Sequence, residues 1–316
     1  MEKEIPIFHC EQEWKAFLER KTPQRIPGVW RGATNIGTCV SKWRDPRYLA
    51  EKIRDRPVKI HVSKEPNMDF KNKNFMYKDL NLKELILRAS GLEKHSSYFI
   101  DSQELYYLRH IGDSPRGERV NFEEDFPELG EDFTFPTTSF PSNKLFSSIL
   151  RISSPSVRIW THYDVLDNFY VQIVGTKRAI FWAPHSALDL YLEGDKSAVV
   201  DVNNPDPELY PKFLSAQKYI VDLEPGDVLF IPSLWFHNME ALSFGVAVNI
   251  FWKNLDDKLY DKKDVYGNKD LVPAANADRM LINIIKQLEL LPQDYRDFYG
   301  RQLINKIKKK CLTHEI

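Results

Sequence analysis

The chain has few of the features that cross-link small secreted proteins or anchor proteins in membranes. It holds three cysteines in 316 residues, and none belongs to a Cys-x-x-Cys pair, so neither a disulfide framework nor a structural zinc site is expected. No apolar run approaches the roughly 20 residues of a membrane span. The charged start, Met1–Glu4, lacks the apolar segment of a secretory signal. These absences predict a soluble intracellular protein, cytoplasmic or nuclear, with no membrane partner.

Net charge is almost absent as well, −1 at pH 7, but the charges are unevenly distributed along the chain. The segment Arg20–Lys64 carries twelve Lys or Arg residues against three acids, whereas Glu123–Asp132 holds six acids and no base. Such separation can produce the basic face that a nucleic acid requires, or the charges can be scattered over the surface once the chain folds. Both interpretations stay open at this stage. The basic residues that we take as candidate nucleic-acid contacts are Arg44, Arg47, Arg54 and Lys59.

The composition and the pattern of short apolar runs predict a mainly β fold with helices. Hydrophobic residues make up 42% of the chain, which allows a sizeable core. Between residues 145 and 252, seven β-branched and aromatic runs follow one another, separated by turn residues such as Ser154-Pro155 and Pro225-Gly226. Many short strands without intervening helices indicate an antiparallel sandwich or barrel of the jelly-roll type. A barrel of about eight strands can enclose one small ligand.

The two ends of the chain depart from this β pattern. The first 100 residues mix helical and strand patterns, as expected of an α/β extension. Near the C-terminus, apolar residues from Ala277 to Leu288 recur at helical spacing, and Pro292 opens a second amphipathic helix. These two helices bury their apolar faces either on their own domain or against a second copy. We therefore predict an N-terminal extension over 1–100, a β-domain over 101–270 and a helical pair over 271–316.

Three residues have the types and positions of a metal-ligand set. His162 and Asp164 end a predicted strand, where residues i and i+2 project from one face. His237 emerges just after another predicted strand. Two imidazoles and one carboxylate leave coordination positions open, as in non-haem Fe(II) oxygenases. Zinc accepts the same ligands, and a single histidine is more often a hydrogen-bonded core residue than a ligand. The combination of all three favours a metal centre.

A lysine in an otherwise apolar strand supplies the next observation. Lys177 follows the turn at Gly175-Thr176, fifteen residues after His162, and leads into Ala179–Trp182. If its side chain points into the barrel, the charge needs an anionic partner, and a dicarboxylate co-substrate would be one. The alternative is a lysine that extends along the apolar surface to reach solvent at the rim.

These residues resemble the motif of the Jumonji-C hydroxylases. The matching positions are His162-Tyr163-Asp164, Asn168, Lys177, His237 and Asn249-Ile250-Phe251-Trp252. The resemblance implies a double-stranded β-helix (the jelly-roll or cupin fold), with Fe(II) as the metal and 2-oxoglutarate as the co-substrate. It implies that Lys177 binds the distal carboxylate of 2-oxoglutarate, helped by Tyr107. It further implies that Asn168 and Asn249 lie near the iron-bound end of the co-substrate, and that Thr161 adds a hydroxyl contact.

Segments along nearly the whole chain are similar, within that family, to the hydroxylases that act on wybutosine in tRNA. They include Val58–Val62, Met68–Phe70, Trp160–Val165, Asp227–Asn238, Tyr266–Asp270 and Asp294–Tyr299. This likeness implies hydroxylation of the wybutosine side chain beside the anticodon of phenylalanine tRNA. It also implies a homodimer formed through the C-terminal helices, and gives the basic segment a role in holding phosphates. Trp160 and Trp235 are candidates for stacking on an exposed base.

Three other functions stay open. A protein hydroxylase of the same fold would use the same metal and co-substrate residues. A non-catalytic cupin-like binding module usually lacks one metal ligand or the lysine, and this chain keeps all of them. A zinc hydrolase would give Lys177 no evident task. The basic segment and the length of the likeness favour tRNA.

Overall fold

The structure of this chain, a computed structural model, describes residues 2–19, 25–92, 97–114, 117–136 and 144–312. Residues 20–24, the start of the predicted basic segment, lie outside that range. The strands are β1 (Glu2–Glu4), β2 (Ile7–Phe8), β3 (Gly28–Trp30), β4 (Pro57–Ser63), β5 (Phe75–Asn81), β6 (Leu105–Arg109), β7 (Leu145–Ser153), β8 (Arg158–His162), β9 (Asp167–Val174), β10 (Lys177–Trp182), β11 (Leu192–Glu193), β12 (Lys196–Ser197), β13 (Lys218–Leu223), β14 (Val228–Ile231), β15 (Phe236–Ala241) and β16 (Gly245–Trp252). The helices are α1 (Glu11–Glu19), α2 (Cys39–Lys42), α3 (Pro46–Lys52), α4 (Leu82–Ser90), α5 (Phe122–Asp125), α6 (Pro127–Gly130), α7 (Pro211–Ser215), α8 (Val272–Leu288) and α9 (Gln293–Cys311).

Eight strands between Leu145 and Trp252 form the centre of the fold. They make two layers: β7, β16, β9 and β14 are neighbours in one sheet, and β8, β15, β10 and β13 in the other. Successive strands alternate between the layers except at β10 and β13, which pair with each other. All of these pairings are antiparallel. This alternation is the double-stranded β-helix, so the predicted fold class is confirmed: a jelly-roll core with an α/β N-terminal extension and a C-terminal helical pair.

The N-terminal extension widens both sheets. The larger sheet has nine strands because β6, β4 and β5 continue it beyond β7, and β3 and β2 continue it beyond β14. The smaller sheet has seven strands, with β1 at one edge and the β11–β12 hairpin at the other. Tyr107 on β6 is the register partner both of His61 on β4, within the first 100 residues, and of Ser153 on β7. The extension therefore shares a surface with the β core, and the predicted division at residue 100 stays a prediction.

The larger sheet packs its outer face against helices α1 to α6. Val58, Ile60 and Val62 alternate along β4 on this outer face, where they join a buried cluster with helical residues such as Trp43 and Leu85. Because neighbouring strand residues point to opposite faces, the residues between them belong to the inner face. The inner faces of the two sheets therefore meet each other, and the candidate site lies between them.

The chain divides into two compact units. One comprises Met1–Asn254 with Val265–Gly267, and the other comprises Leu255–Asp264 with Asn268–Ile316. The second unit contains α8 and α9, the helices that the apolar spacing predicted, and neither buries a residue. Among the helices of the described residues, none combines the length and apolarity needed to cross a membrane.

Candidate active site

The three predicted metal ligands lie together. His162 ends β8 and is the cross-strand partner of His237 on β15, with 4.3 Å between the two ring centroids. Asp164 follows β8, and its Oδ2 is 3.7 Å from Nε2 of His237. One nitrogen or oxygen from each residue can be chosen so that all three atoms lie within 4.8 Å of one another. These three residues, the candidate metal centre, could hold a single metal ion.

Backbone carbonyls orient both imidazoles toward this centre. Nδ1 of His162 lies 3.0 Å from the carbonyl oxygen of Trp160, and Nδ1 of His237 lies 3.0 Å from that of Trp235. A carbonyl only accepts, so each Nδ1 carries the proton and each Nε2 keeps its lone pair. Burial, together with the neighbouring His237, lowers the pKa of His162 to about 3, and burial lowers the pKa of His237. Both rings are therefore neutral at pH 7, which is the form that binds a metal.

Lys177 opens β10 and points into the space between the sheets. It is 4% exposed, and its Nζ donates to Oγ of Ser153 at 3.3 Å. None of the described carboxylates pairs with it. Burial, followed by the charge of Arg151, lowers the pKa of Lys177 to about 7. A buried ammonium without an acidic partner is unfavourable, so this position is suited to an incoming anion.

A chain of hydrogen bonds joins the predicted co-substrate residues to the metal centre. Nε of Arg151 donates to Oδ1 of Asn249 at 2.5 Å, and Nη1 of Arg151 donates to the hydroxyl of Tyr107. Asn249 donates to Oδ1 of Asn168 at 2.9 Å, and Asn168 donates to Oδ2 of Asp164 at 3.5 Å. Tyr107, Asn168 and Asn249 are thus brought together, and their contacts with the co-substrate stay a prediction.

Arg151, at the centre of this chain of hydrogen bonds, was not predicted from the sequence. The available signal is a charged side chain within the apolar strand Leu145–Ser153, the same kind of signal that Lys177 gives in β10. Arg151 is not one of the residues that carry the family resemblance.

Two other predicted contacts lie apart from these residues. Thr161 adjoins His162 on β8 and therefore points to the opposite face; its hydroxyl accepts from Nδ2 of Asn238 at 3.3 Å. Its contact with the co-substrate stays a prediction that this geometry does not favour. Trp235 is buried against Tyr219, and its Nε1 donates to the carbonyl of Arg25 at 2.7 Å. A buried indole held in this way offers no free face for stacking on a base.

Trp160, in contrast, lines a cavity of about 770 Å³. Trp160 lies two residues before His162 and so shares its face of β8, and Lys196 in the cavity wall is the register partner of His162. Phe70 lies 5.0 Å from Trp160 between ring centroids. Nζ of Lys73 and Nζ of Lys196 lie 3.4 and 4.4 Å from the centroid of Phe70. The cavity beside the metal centre is therefore aromatic and carries basic groups.

Of the ten basic residues of the segment Arg20–Lys64 that the structure describes, most are neutralised in the folded chain. Six of them pair with carboxylates, several of which come from distant parts of the chain: Arg25, Arg31, Lys42, Lys52, Arg56 and Lys64. The remaining basic residues of the segment that the structure describes are exposed and make no ion pair with a described residue: Arg44, Arg47, Arg54 and Lys59. The four candidate nucleic-acid contacts are thus those with free charges.

These four residues do not share one face. Lys59 is two residues before His61, whose register partner is Tyr107, so Lys59 belongs to the inner face of the larger sheet. Arg47 lies in α3, and Arg44 and Arg54 lie just outside its ends. These three therefore lie on the side where helices cover the outer face.

Comparison with known proteins gives a consistent family. A model of the cupin-like domain matches residues 14–258. The chain is 48% identical to tRNA wybutosine-synthesizing protein 5 of Danio rerio over 308 residues, covering 98% of this chain and 93% of the relative. It is 46% identical to the Homo sapiens protein of the same name over 297 residues, covering 94% and 93%.

A longer fungal protein contains a similar region. The chain is 34% identical over 318 residues to tRNA wybutosine-synthesizing protein 4 of Neurospora crassa, covering 97% of this chain but 25% of that protein. The family predicted from the motif residues is therefore confirmed. The chain belongs to the cupin-like domain family and, within it, to the family of tRNA wybutosine-synthesizing protein 5.

Proposed function

We propose that this chain is an Fe(II)- and 2-oxoglutarate-dependent dioxygenase that hydroxylates the side chain of wybutosine beside the anticodon of phenylalanine tRNA. The observation that carries the proposal is a His-Asp-His centre that shares one buried space with a lysine lacking an acidic partner. The His-Asp-His centre suits a metal with open coordination positions, and the lysine suits a dicarboxylate. A zinc hydrolase would need the His-Asp-His centre but not the lysine.

The residues fit Fe(II) and 2-oxoglutarate in kind and in charge. His162, Asp164 and His237 would hold Fe(II) through two neutral nitrogens and one carboxylate oxygen. Lys177 would bind the distal carboxylate of 2-oxoglutarate, with the Tyr107 hydroxyl as a second contact. Asn168 and Asn249 would orient the opposite end of the keto acid, since their hydrogen bonds lead to Asp164. When bound, Fe(II) and the keto acid supply the oxidising chemistry that transfers an oxygen atom from dioxygen to a C–H bond.

The protein's own contribution is position and the exclusion of water. Carbonyl acceptors fix the two imidazole rings, so the ring nitrogens face the metal without reorganisation. The two sheets bury Lys177 and Asn249, which strengthens their interactions with an anion. The aromatic cavity beside His162 would hold the flat base close to the metal, because Trp160 and Phe70 can stack on it.

The names of the relatives and the free basic residues support a tRNA substrate. A base next to the anticodon lies in a single-stranded loop, where unstacked bases are read by stacking. Arg44, Arg47, Arg54 and Lys59 would bind phosphates of the same tRNA. A tRNA substrate would make the protein intracellular, either cytoplasmic or nuclear.

A homodimer formed by the C-terminal helices belongs to the same proposal. Both α8 and α9 expose large apolar side chains, among them Met280, Ile284, Phe298 and Ile304. Apolar side chains exposed together on one surface commonly mark an interface. Deletion of residues 291–316 should give a monomer, or an aggregating protein if the face of α8 is left uncovered. Light scattering on the intact chain at micromolar concentration tests this, and a monomer there would rule the dimer out.

The activity is tested with purified protein, Fe(II), 2-oxoglutarate and phenylalanine tRNA that contains wybutosine. Succinate release coupled to a mass gain of one oxygen atom on the nucleoside is expected. A peptide panel run in parallel distinguishes a protein hydroxylase, which would release succinate with a peptide but not with tRNA. The oxygenase proposal would be contradicted if neither tRNA nor peptide stimulated succinate release and the protein did not bind the keto acid in the presence of metal.

A further inference from the structure

The buried space between the two sheets contains a second cation besides Lys177. Arg151 lies on the inner face of the larger sheet, and its guanidinium reaches Tyr107 and Asn249. We propose that Arg151 binds the distal carboxylate of the co-substrate together with Lys177, so that two cations hold that group. This inference rests on the proposed function, because it concerns the same co-substrate site.

Lys177 and Arg151 reach the same point from opposite sheets. Lys177 donates to the hydroxyl of Ser153 on β7, and Arg151 donates to the hydroxyl of Tyr107 on β6. Ser153 and Tyr107 are register partners across these two strands, so their side chains are neighbours on one face. An anion that accepts from both Lys177 and Tyr107 therefore lies beside the guanidinium of Arg151.

The hydrogen bonds of Arg151 leave part of its guanidinium available. Nε and Nη1 are used by Asn249 and Tyr107, whereas Nη2 makes no hydrogen bond to a residue in the described ranges. Arginine presents its donors in a planar fork that matches a carboxylate. Arg151 can thus hold Tyr107 in place with one nitrogen and offer another to the ligand.

The charges lead to the same conclusion. No described carboxylate forms an ion pair with Arg151 or Lys177, and Arg109 is the cross-strand partner of Arg151. Like charges facing each other across strands are destabilising. Arg109 is partly compensated, since its guanidinium lies 4.2 Å from the ring centroid of Tyr266. Lys177 has the ring of Tyr170 5.7 Å from its Nζ, but neither Lys177 nor Arg151 has an ion-pair partner within the described chain. A carboxylate between them would provide the missing negative charge.

The test compares two keto acids on the Mn(II)-loaded protein by isothermal titration. One is 2-oxoglutarate; the other is 2-oxopentanoate, which has a methyl group where 2-oxoglutarate has its distal carboxylate. For Arg151→Gln, the affinity for 2-oxoglutarate should fall on the order of 30-fold or more, as for loss of one partner in a buried charge pair. Affinity for 2-oxopentanoate should change by no more than about twofold. The affinity of Arg151→Lys for 2-oxoglutarate should lie between that of the native protein and that of Arg151→Gln, because lysine keeps the charge but lacks the planar pair of guanidinium donors.

A matched control is available on β10 of the smaller sheet. Arg178 adjoins Lys177, but its side chain is 42% exposed and is paired with Asp222 at 2.8 Å. Arg178→Gln removes an arginine near the site without touching the buried face, so both affinities should stay at the native value. Melting temperatures of the metal-loaded variants show whether each is folded. If Arg151→Gln does not fold, the same comparison of the two keto acids is made with Arg151→Lys.

Two results would overturn the inference, and they are distinguishable from failure of the proposed function. If Arg151→Gln lowers the affinity for both keto acids equally, Arg151 only positions Tyr107 and Asn249. Unchanged binding of 2-oxoglutarate would remove Arg151 from the site altogether. If the native protein binds neither keto acid, the oxygenase proposal fails and the ligand role of Arg151 fails with it.

Discussion

The two faces of the larger sheet differ in chemistry although the same strands build both. On the outer face, Ile60, Leu108 and Leu150 pack with helical side chains into an apolar cluster. On the inner face, the adjoining positions of β6 and β7 carry Tyr107 and Arg151. Alternation along a strand makes this separation possible, because neighbouring residues never share a face.

The difference indicates how the fold divides stability from function. Helices cover the outer face, so its side chains lose contact with water and supply a large part of the hydrophobic stabilisation. The inner face carries buried polar groups, which contribute little or are unfavourable until a ligand binds. Substitutions on the two faces should therefore have different consequences, even at adjacent positions such as Leu150 and Arg151.

The largest effect is expected at the metal centre. His162→Ala, Asp164→Ala and His237→Ala should each abolish turnover, because two remaining ligands hold the metal weakly. The melting temperature of the metal-free protein should change little, since these residues face the site and not the helices. Succinate release with wybutosine-containing tRNA and thermal unfolding measure the two quantities. Near-normal turnover in any one variant under saturating Fe(II) would show that its residue is not a ligand.

On the opposite face, Leu150→Ala should lower the free energy of unfolding by about 2–5 kcal/mol, as for other buried leucine truncations. Leu150 is fully buried in the outer cluster, one residue from Arg151. Its truncation should leave the affinity of the folded protein for 2-oxoglutarate unchanged. Denaturant titration and isothermal titration check this pair of outcomes, and a large loss of affinity would mean that the two faces are not independent.

Lys177→Ala should weaken 2-oxoglutarate binding by about 2–5 kcal/mol, since it leaves a buried carboxylate without its partner. Metal affinity should change much less, and Tyr107→Phe should have a smaller effect of the same sign on the co-substrate.

The pH dependence of binding tests Lys177 separately. Burial lowers the pKa of Lys177 to about 7 in the free protein, whereas a bound carboxylate favours the charged lysine. Affinity should therefore be highest below pH 7 and decrease as the pH rises above it. This decrease should disappear in Lys177→Met. Titrations in which native affinity does not change between pH 6 and pH 9 would contradict the lysine's role.

The smallest and least localised effect is expected at the candidate tRNA surface. Replacing Arg44, Arg47, Arg54 and Lys59 by Glu should weaken tRNA binding and flatten its salt dependence, because each phosphate contact releases counterions. Lys59→Glu alone should contribute more than any one arginine, since Lys59 belongs to the inner face. Binding of 2-oxoglutarate should not change.

Arg178→Glu makes the same change of charge on the smaller sheet and is the control for this series. Filter binding across a range of salt concentrations measures the slope for each variant. An unchanged slope in the fourfold variant would mean that tRNA binds elsewhere.

Much of the fold and the metal centre could be predicted from sequence because their signals are local. Short apolar runs define the strands, and the spacing of His162 and Asp164 places both side chains together at the end of β8. The neutralisation of six residues in the basic segment could not be predicted in this way. Several of these charges are cancelled by acids far along the chain, as when Lys42 pairs with Asp132 at 2.6 Å. Trp235 illustrates the same limit, because only the folded chain brings its indole to the carbonyl of Arg25.

The division of the site between two sheets has a further consequence. The metal residues and Lys177 belong to the smaller sheet, whereas Arg151, Tyr107 and the two asparagines belong to the larger one. A keto acid that contacts both sets is a removable cross-link between the layers. Any fluctuation that separates the sheets must break it, so binding should slow amide hydrogen exchange in β7 and β10 more than in β4 or β5. The protein is thus expected to be least rigid at the moment when its active site is empty and a new co-substrate must enter.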